Sequence, residues 1–482
     1  AGMTRAECAA PRGTCPVETY PPPALPFDPR EGIAPVGIEQ PDDRAQLLSG
    51  SLTRTVIRFA LPAIAATMLM TVFGTVDAYW VGTRIGPEGL AAVSTSIFWI
   101  WLLISLAEMV SVGLTAVAAR RHGQGRPDRA AQAVSNALIF SVVLGIAAAV
   151  AGSIGLSGMF SLMHAPPSIA ALGRRYLGTY LGGAPLIFGF FAVDAAFRAA
   201  GDSRTPFLLL TGSVLVALLL DPILILGIGP IPRLGIAGAA VATIITRGTA
   251  FLSGTVILVR RRLLRVSTID LAVLGAIVRV GAPTALTGIS FSLIYVFLTR
   301  TTTRFGTPAL AALGIGHRVE SWAYMIGVGF GAAAAAIVGQ NLGAGQVARA
   351  ARVGWIATAF ASVVAAIAGV LEYRYATAFA GLFTNDPAVV LASANYLRIA
   401  AISVLFIGAE LVLEGSLGGA GDTLPPMLTS TTLTAIRLPL AAWAAPRWGI
   451  DGIWWTLSIT AAARGLAMMA LWGGGRWRRR SV

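Results

Sequence analysis

The run Phe59–Val81, FALPAIAATMLMTVFGTVDAYWV, contains a single charge, Asp77, in more than twenty residues. At about 1.5 Å per residue a helix of this length crosses the ~30 Å hydrocarbon core of a bilayer. Arg54 and Arg58 mark one end and Arg84 the other. Similar runs recur along the chain, punctuated by Gly, Pro or Arg, and predict spans near 54–81, 88–118, 128–153, 168–199, 205–229, 235–260, 271–299, 307–336, 347–372, 388–418, 425–446 and 450–473. The expected fold is therefore an all-α polytopic membrane protein of twelve transmembrane helices. The composition agrees, being 56% hydrophobic and only 12% charged with a mean hydropathy of +0.75, too apolar for a soluble chain.

The net charge of +14 reads as topology rather than as a nucleic-acid site. Twelve helices put both termini on one side, and the clusters Arg120/Arg121/Arg126/Arg129, Arg260/Arg261/Arg262/Arg265, Arg349/Arg352 and Arg476/Arg478/Arg479/Arg480 all fall on it. The positive-inside rule makes that side cytoplasmic. Every one of these basic residues is Arg, because the chain has no Lys. A Walker A ATPase or a Schiff-base protein is thereby excluded. Residues 1–50, with PPPALPFDP and no long apolar run, read as a disordered tail, and Cys8 and Cys15 within it as bystander thiols with no zinc site.

An internal repeat organises the chain beyond this tail. IGPEGLAAV at 85–93 recurs as FGTPALAAL at 305–313, RHGQGRPDRAA at 121–131 as NLGAGQVARAA at 341–351, and RAAGDSRTP at 198–206 as GGAGDTLPP at 418–426, all at an offset of 220 residues. LGIAGAAVAT at 234–243 and WGIDGIWWTL at 448–457 form a fourth pair, offset by 214. Six helices per half keep the halves parallel, which predicts two pseudo-symmetric lobes over 51–265 and 266–475, a cavity between them, and a basic cytoplasmic tail over 476–482.

Asp77, Asp221 and Thr243 each lie seven or eight residues from the predicted outer end of their helix, hence at a common depth of roughly 10–12 Å. Two carboxylates in one apolar layer cannot both ionise cheaply, so one is expected to hold a proton. Pro222, next to Asp221, permits a hinge. In the second half Glu410 and Glu414 share a helix face that can receive a cationic substrate, or else pair with Arg437 or Arg318. Glu320 sits in a polar knot with His317 and Arg318, and Asp194 and Arg198 are spaced to pair with each other.

The order and spacing of these motifs resemble the multidrug and toxic compound extrusion (MATE) transporters over nearly everything after the tail. The resemblance rests on Pro62 and Asp77 in the first helix, ALAAL and VGQNLGAG within 309–345, RAAGD with TP before the fifth helix, LLLDP at 218–222 before GIAGAAVAT, and GAGDT at 419–423. It implies a MATE-like, two-lobe secondary antiporter of amphipathic, mostly cationic organic compounds, alternating between two openings and driven by H⁺ or Na⁺. It also implies that Asp77, Asp221 and Thr243 help form the cation site of the first lobe. Ala217 stands where similar chains often have Asn, and the loss of an amide oxygen favours H⁺ over Na⁺. The acid that some relatives carry in the seventh helix is absent from GAPTALTGISFSLIYVFL.

The same fold serves lipid flippases, so export of a lipid-linked or anionic metabolite is the alternative. An enzyme is not expected, since neither paired Asp-rich Mg²⁺ motifs nor His-Glu-x-x-His occurs. The expected partners are an organic cation, H⁺ or Na⁺ and the bilayer, without cofactor, metal or nucleic acid, for a chain acting as a monomer. Glu410, Glu414 and Glu320 are the substrate-binding candidates.

Overall fold

The computed structural model describes residues 48–163, 166–229, 232–265 and 267–480, so that Cys8, Cys15 and nearly all of the expected tail lie outside the described residues. Helices account for every regular element described. They are α1 (Leu52–Arg84), α2 (Pro87–Gly123), α3 (Pro127–Leu162), α4 (Pro167–Gly182), α5 (Ala184–Ala200), α6 (Arg204–Leu226) and α7 (Ile236–Arg260), then α8 (Leu271–Thr302), α9 (Thr307–Gly343), α10 (Val347–Arg374), the short α11 (Ala376–Gly381), α12 (Pro387–Ala420), α13 (Leu424–Ala435) and α14 (Arg437–Gly473).

Nine helices among the described residues are long and apolar enough to span a bilayer on their own. The expected span 168–199 is a tenth, bent by 53° where α4 meets α5. Gly182, Gly183 and Pro185 supply the break, Pro185 by removing a ladder donor. The last two expected spans are recovered at a second kink. Trp448 (φ −124°) and Gly449 (φ 60°) leave the helical region inside α14, so α13 with the first part of α14 forms one span and the remainder the next. Twelve helical spans result.

Local chemistry sets the boundaries. At the start of α12 the Asp386 carboxylate accepts from the N–H groups of Ala388 and Val389 at 2.8 and 3.4 Å, and Pro387 needs no partner there. The repeated Gly-Asp motif is a helix stop. Gly201 (φ 92°) closes α5 and Gly421 (φ 79°) closes α12 in the left-handed conformation that glycine tolerates best. The aspartate that follows is then aimed at an arginine beyond the last helix of its own half: Asp202 pairs with Arg261 at 2.6 Å and Asp422 with Arg480 at 2.9 Å.

In the first lobe α2 packs on α3 and α5, α5 on α7, and α6 on α7; in the second, α12 is the hub for α9, α10 and α14. Between the lobes α1 crosses α9, and α2 crosses α8 and α9. A close crossing at the arginine-rich end obeys the repeat. A Cβ on Gly123 would lie 2.0 Å from the Gln340 carbonyl oxygen, and one on Gly343 would lie 2.0 Å from that of Arg120. Backbone touches backbone at both places, as small residues allow in a membrane. Gly343→Val should cost about 1–3 kcal/mol through forced separation of the helices, with Gly123→Val similar. Thermal unfolding in detergent measures this, and an unchanged midpoint for both would mean that the crossing is loose.

Candidate functional site

Asp77 on α1 and Asp221 on α6 are 8% and 0% exposed, on helices that pack against each other. Each falls within the electrostatic field of the other, and Tyr176 of α4 senses both. Neither Oδ1 of Asp77 nor either carboxylate oxygen of Asp221 has a hydrogen-bond partner. Buried acceptors in that condition call for a proton, an ion or water. The Thr243 hydroxyl donates back to the Ala239 carbonyl at 3.2 Å, which leaves its lone pairs free to accept. Pro222 lies inside α6, which continues helical to Leu226.

A buried basic residue also stands in this lobe: Arg247, one turn from Thr243 along α7, is only 7% exposed. Its guanidinium lies 4.9 Å from the Phe190 ring and bonds the Met70 sulfur of α1 at 2.5 Å. Its polar neighbours are Tyr180 and Asp194. Asp194 pairs with Arg198 as the spacing predicts, and Arg198 also donates to Ser111 Oγ at 3.3 Å. The signal was present in the TRG triplet at 246–248, a lone arginine inside an otherwise apolar run.

In the second lobe Glu410 and Glu414 part company. Glu410 is 5% exposed and pairs at 3.3 Å with Arg464 of α14, which also reaches Thr434 Oγ1 at 3.3 Å. Of the expected partners, Arg437 acts on Glu410 only through its charge, and Arg318 does not pair with it. Arg437 donates to Thr460 Oγ1 at 2.8 Å and to the Tyr295 hydroxyl at 3.4 Å, while Arg318 is exposed. Glu410 is therefore a neutralised interior group and not an open acid for a ligand. Glu320 accepts from the Tyr396 hydroxyl at 2.9 Å, beside His317, whose ring centroid is 4.9 Å from that of Tyr295 and 6.2 Å from that of Tyr396.

Glu414 is half-buried, and its electrostatic neighbours include Glu108, a residue of α2 in the first lobe that nothing in the sequence singles out. Tyr324 of α9 senses Glu414, Glu410 and Glu108 together. Glu108 and Tyr324 keep exposed side chains. One acid from each half thus feels the charge of the other, with Arg464 acting on Glu414 and Arg198 on Glu108. Just toward the arginine-rich end the lobes close, where Gly281 abuts the Met109 carbonyl.

The family profile MatE matches residues 62–223 and again 283–443, one repeat apart. The chain belongs to the MatE family. Among curated relatives, the FAD transporter of Shewanella oneidensis is 28% identical over 431 residues, covering 88% of this chain and 95% of that protein. The multidrug resistance protein NorM of Burkholderia vietnamiensis is 28% identical over 442 residues, covering 88% and 94%. Among solved structures, an outward-facing multidrug resistance MATE transporter superposes with a TM-score of 0.83 at 22% identity, covering 90% of this chain and 97% of that one. A MOP superfamily transporter from Pyrococcus furiosus, described as having a binding pocket of reversed polarity, gives 0.82 at 23% identity, covering 91% and 99%.

The two halves of this MatE chain carry related but unequal polar centres. Tyr176 and Tyr396 are 220 residues apart and buried, and each adjoins carboxylates of its own lobe. Tyr176 lies within the electrostatic field of Asp77 and Asp221, acids whose buried oxygens have no bonded partner. Tyr396 holds Glu320 directly, in a lobe that also contains Arg437 and Arg464.

Proposed function

We propose that this MatE protein is a cation-coupled antiporter that exports amphipathic, mostly cationic organic compounds by alternating access, with H⁺ favoured over Na⁺ as the coupling ion. The supporting observation is that Glu108 acts electrostatically on Glu414, two carboxylates from opposite lobes with no ion-pair or hydrogen-bond partner among the described residues. An organic cation between them relieves their repulsion and takes the place of water. Asp77 and Asp221 form the coupling site in the first lobe, with Thr243 as an accepting hydroxyl and Pro222 beside it as the hinge. The apolar Ala217, 1% exposed on α6, supplies no oxygen there, which argues for a proton over a sodium ion. The arginine-rich end faces the cytoplasm under the positive-inside rule. The chain works as a monomer in the bilayer.

A second reading is export of an anionic metabolite, favoured by buried Arg437 and Arg464 in the second lobe and by the naming of one relative as an FAD transporter. Both guanidiniums already have protein partners, which is why it ranks second. Proteoliposome efflux of a panel of organic cations and of flavin dinucleotide, with pH and Na⁺ gradients imposed separately, decides between them. Cation efflux driven by the pH gradient alone is expected; dinucleotide transport with no cation transport would reverse the ranking.

A further inference from the structure

After α14 the chain turns at Gly475 into a single 3₁₀ turn, Arg476–Arg479. Trp477 in that turn lies flat on Trp472, with centroids 4.0 Å apart and planes 6° from parallel, and its indole N–H donates to the Trp472 carbonyl at 2.9 Å. It is 1% exposed and belongs to the same buried cluster as Val56, Phe59 and Ala60 at the base of α1. The turn itself packs on α12 and α14 of its own lobe, in a buried cluster that runs on to the base of α1.

Arg480 extends the connection by polar contacts. Its Nε donates to Asp422, between α12 and α13 of its own lobe, at 2.9 Å. Its backbone carbonyl accepts from Nη2 of Arg120, on α2 of the other lobe, at 2.6 Å. Nη1 of the same guanidinium is buried without a partner, so this is the bond that holds the Arg120 side chain.

The internal repeat supplies the comparison. Gln340, one repeat after Arg120, also crosses between the lobes, but its amide donates to the Ala199 carbonyl at a helix end, 2.8 Å away. Asp202 and Arg261 repeat the Asp422–Arg480 pair, yet among the described residues Arg261 bonds Asp202 and Thr205, both in its own lobe. Only at the second position has the pair been drawn into a bridge.

We propose that residues 474–480 are a strap that clamps the arginine-rich ends of the two lobes together and favours the conformation in which that end is closed. The strap rests on the alternating-access reading above, but concerns which opening is populated and not which ion or substrate is moved. Failure of cation coupling would appear in transport assays. Failure of the strap appears in distances.

The test is double electron–electron resonance on Gln124→Cys and Ala348→Cys, spin-labelled in a Cys8→Ser/Cys15→Ser background in lipid nanodiscs. Arg120→Ala should raise the ratio of long to short distances about tenfold, the scale of losing one charge-assisted hydrogen bond, and Trp477→Ala, which unseats the turn that carries Arg480, should shift it in the same direction. Arg261→Ala, which breaks only the pair within the first lobe, should leave the distribution unchanged. If Trp477→Ala fails to fold, Arg120→Ala decides alone. A parental distance distribution in Arg120→Ala, or an equal shift in Arg261→Ala, would overturn the proposal.

Discussion

Asp77→Asn is expected to reduce pH-driven efflux to the leak of protein-free liposomes while leaving the protein folded. The unbonded oxygens of Asp77 and Asp221 mean that the first lobe loses no hydrogen bond when one carboxyl becomes an amide, so the effect falls on ion binding and not on packing. Asp221→Asn should do nearly the same. The double variant should be little worse than either, because in the proposed coupling site the two acids hold one proton between them and their losses do not add. Arg247 does not rescue the site, since its polar neighbours are Tyr180 and Asp194. The measurement is substrate efflux under an imposed pH gradient without Na⁺, beside thermal unfolding of the same samples. Full activity in Asp77→Asn, or activity in the parent only when Na⁺ is supplied, would remove the proposed coupling site.

The spans were legible because burying a backbone in hydrocarbon demands long apolar helices, and those leave an unmistakable record. The motifs at 198–206 and 418–426 were legible as a repeat for a similar reason. A left-handed helix stop needs glycine, and the aspartate after it needs a fixed arginine. The facing of polar residues inside the bundle was much less legible. A helix that is apolar all round shows no preferred face, so Glu108 in LAEMV and Arg464 in AARGL carried no sign of where they pointed. Depth counting placed Asp77 and Asp221 together because both sit a known distance from a helix end. It could not pair Glu410 with Arg464, since that contact depends on how α12 crosses α14. The bend at Gly183 was not read from the sequence, which gave 168–199 as one span, although LGGAP holds its glycines and proline.

The two acids on α12 should separate cleanly under mutation, although they are four residues apart on one helix. Glu410→Ala leaves Arg464 as an uncompensated buried charge, 8% exposed, with its Nε already lacking a partner. Removing one member of a buried pair typically costs about 3–5 kcal/mol, so this variant should unfold well below the parent's temperature or fail to accumulate in membranes. Glu410→Ala combined with Arg464→Met should recover much of that loss, because deleting both charges removes the penalty along with the bond. Glu414→Gln should instead keep the parental unfolding temperature, having no bonded partner to abandon, and weaken organic-cation binding. Glu108→Gln should match it from the other lobe. Fluorescence-detected thermal unfolding in detergent, paired with equilibrium binding of a fluorescent organic cation, separates the two behaviours. Equal destabilisation by Glu410→Ala and Glu414→Gln would mean that Glu414 is also a structural acid, and the cleft floor would then have lost the feature that suits it to a cation.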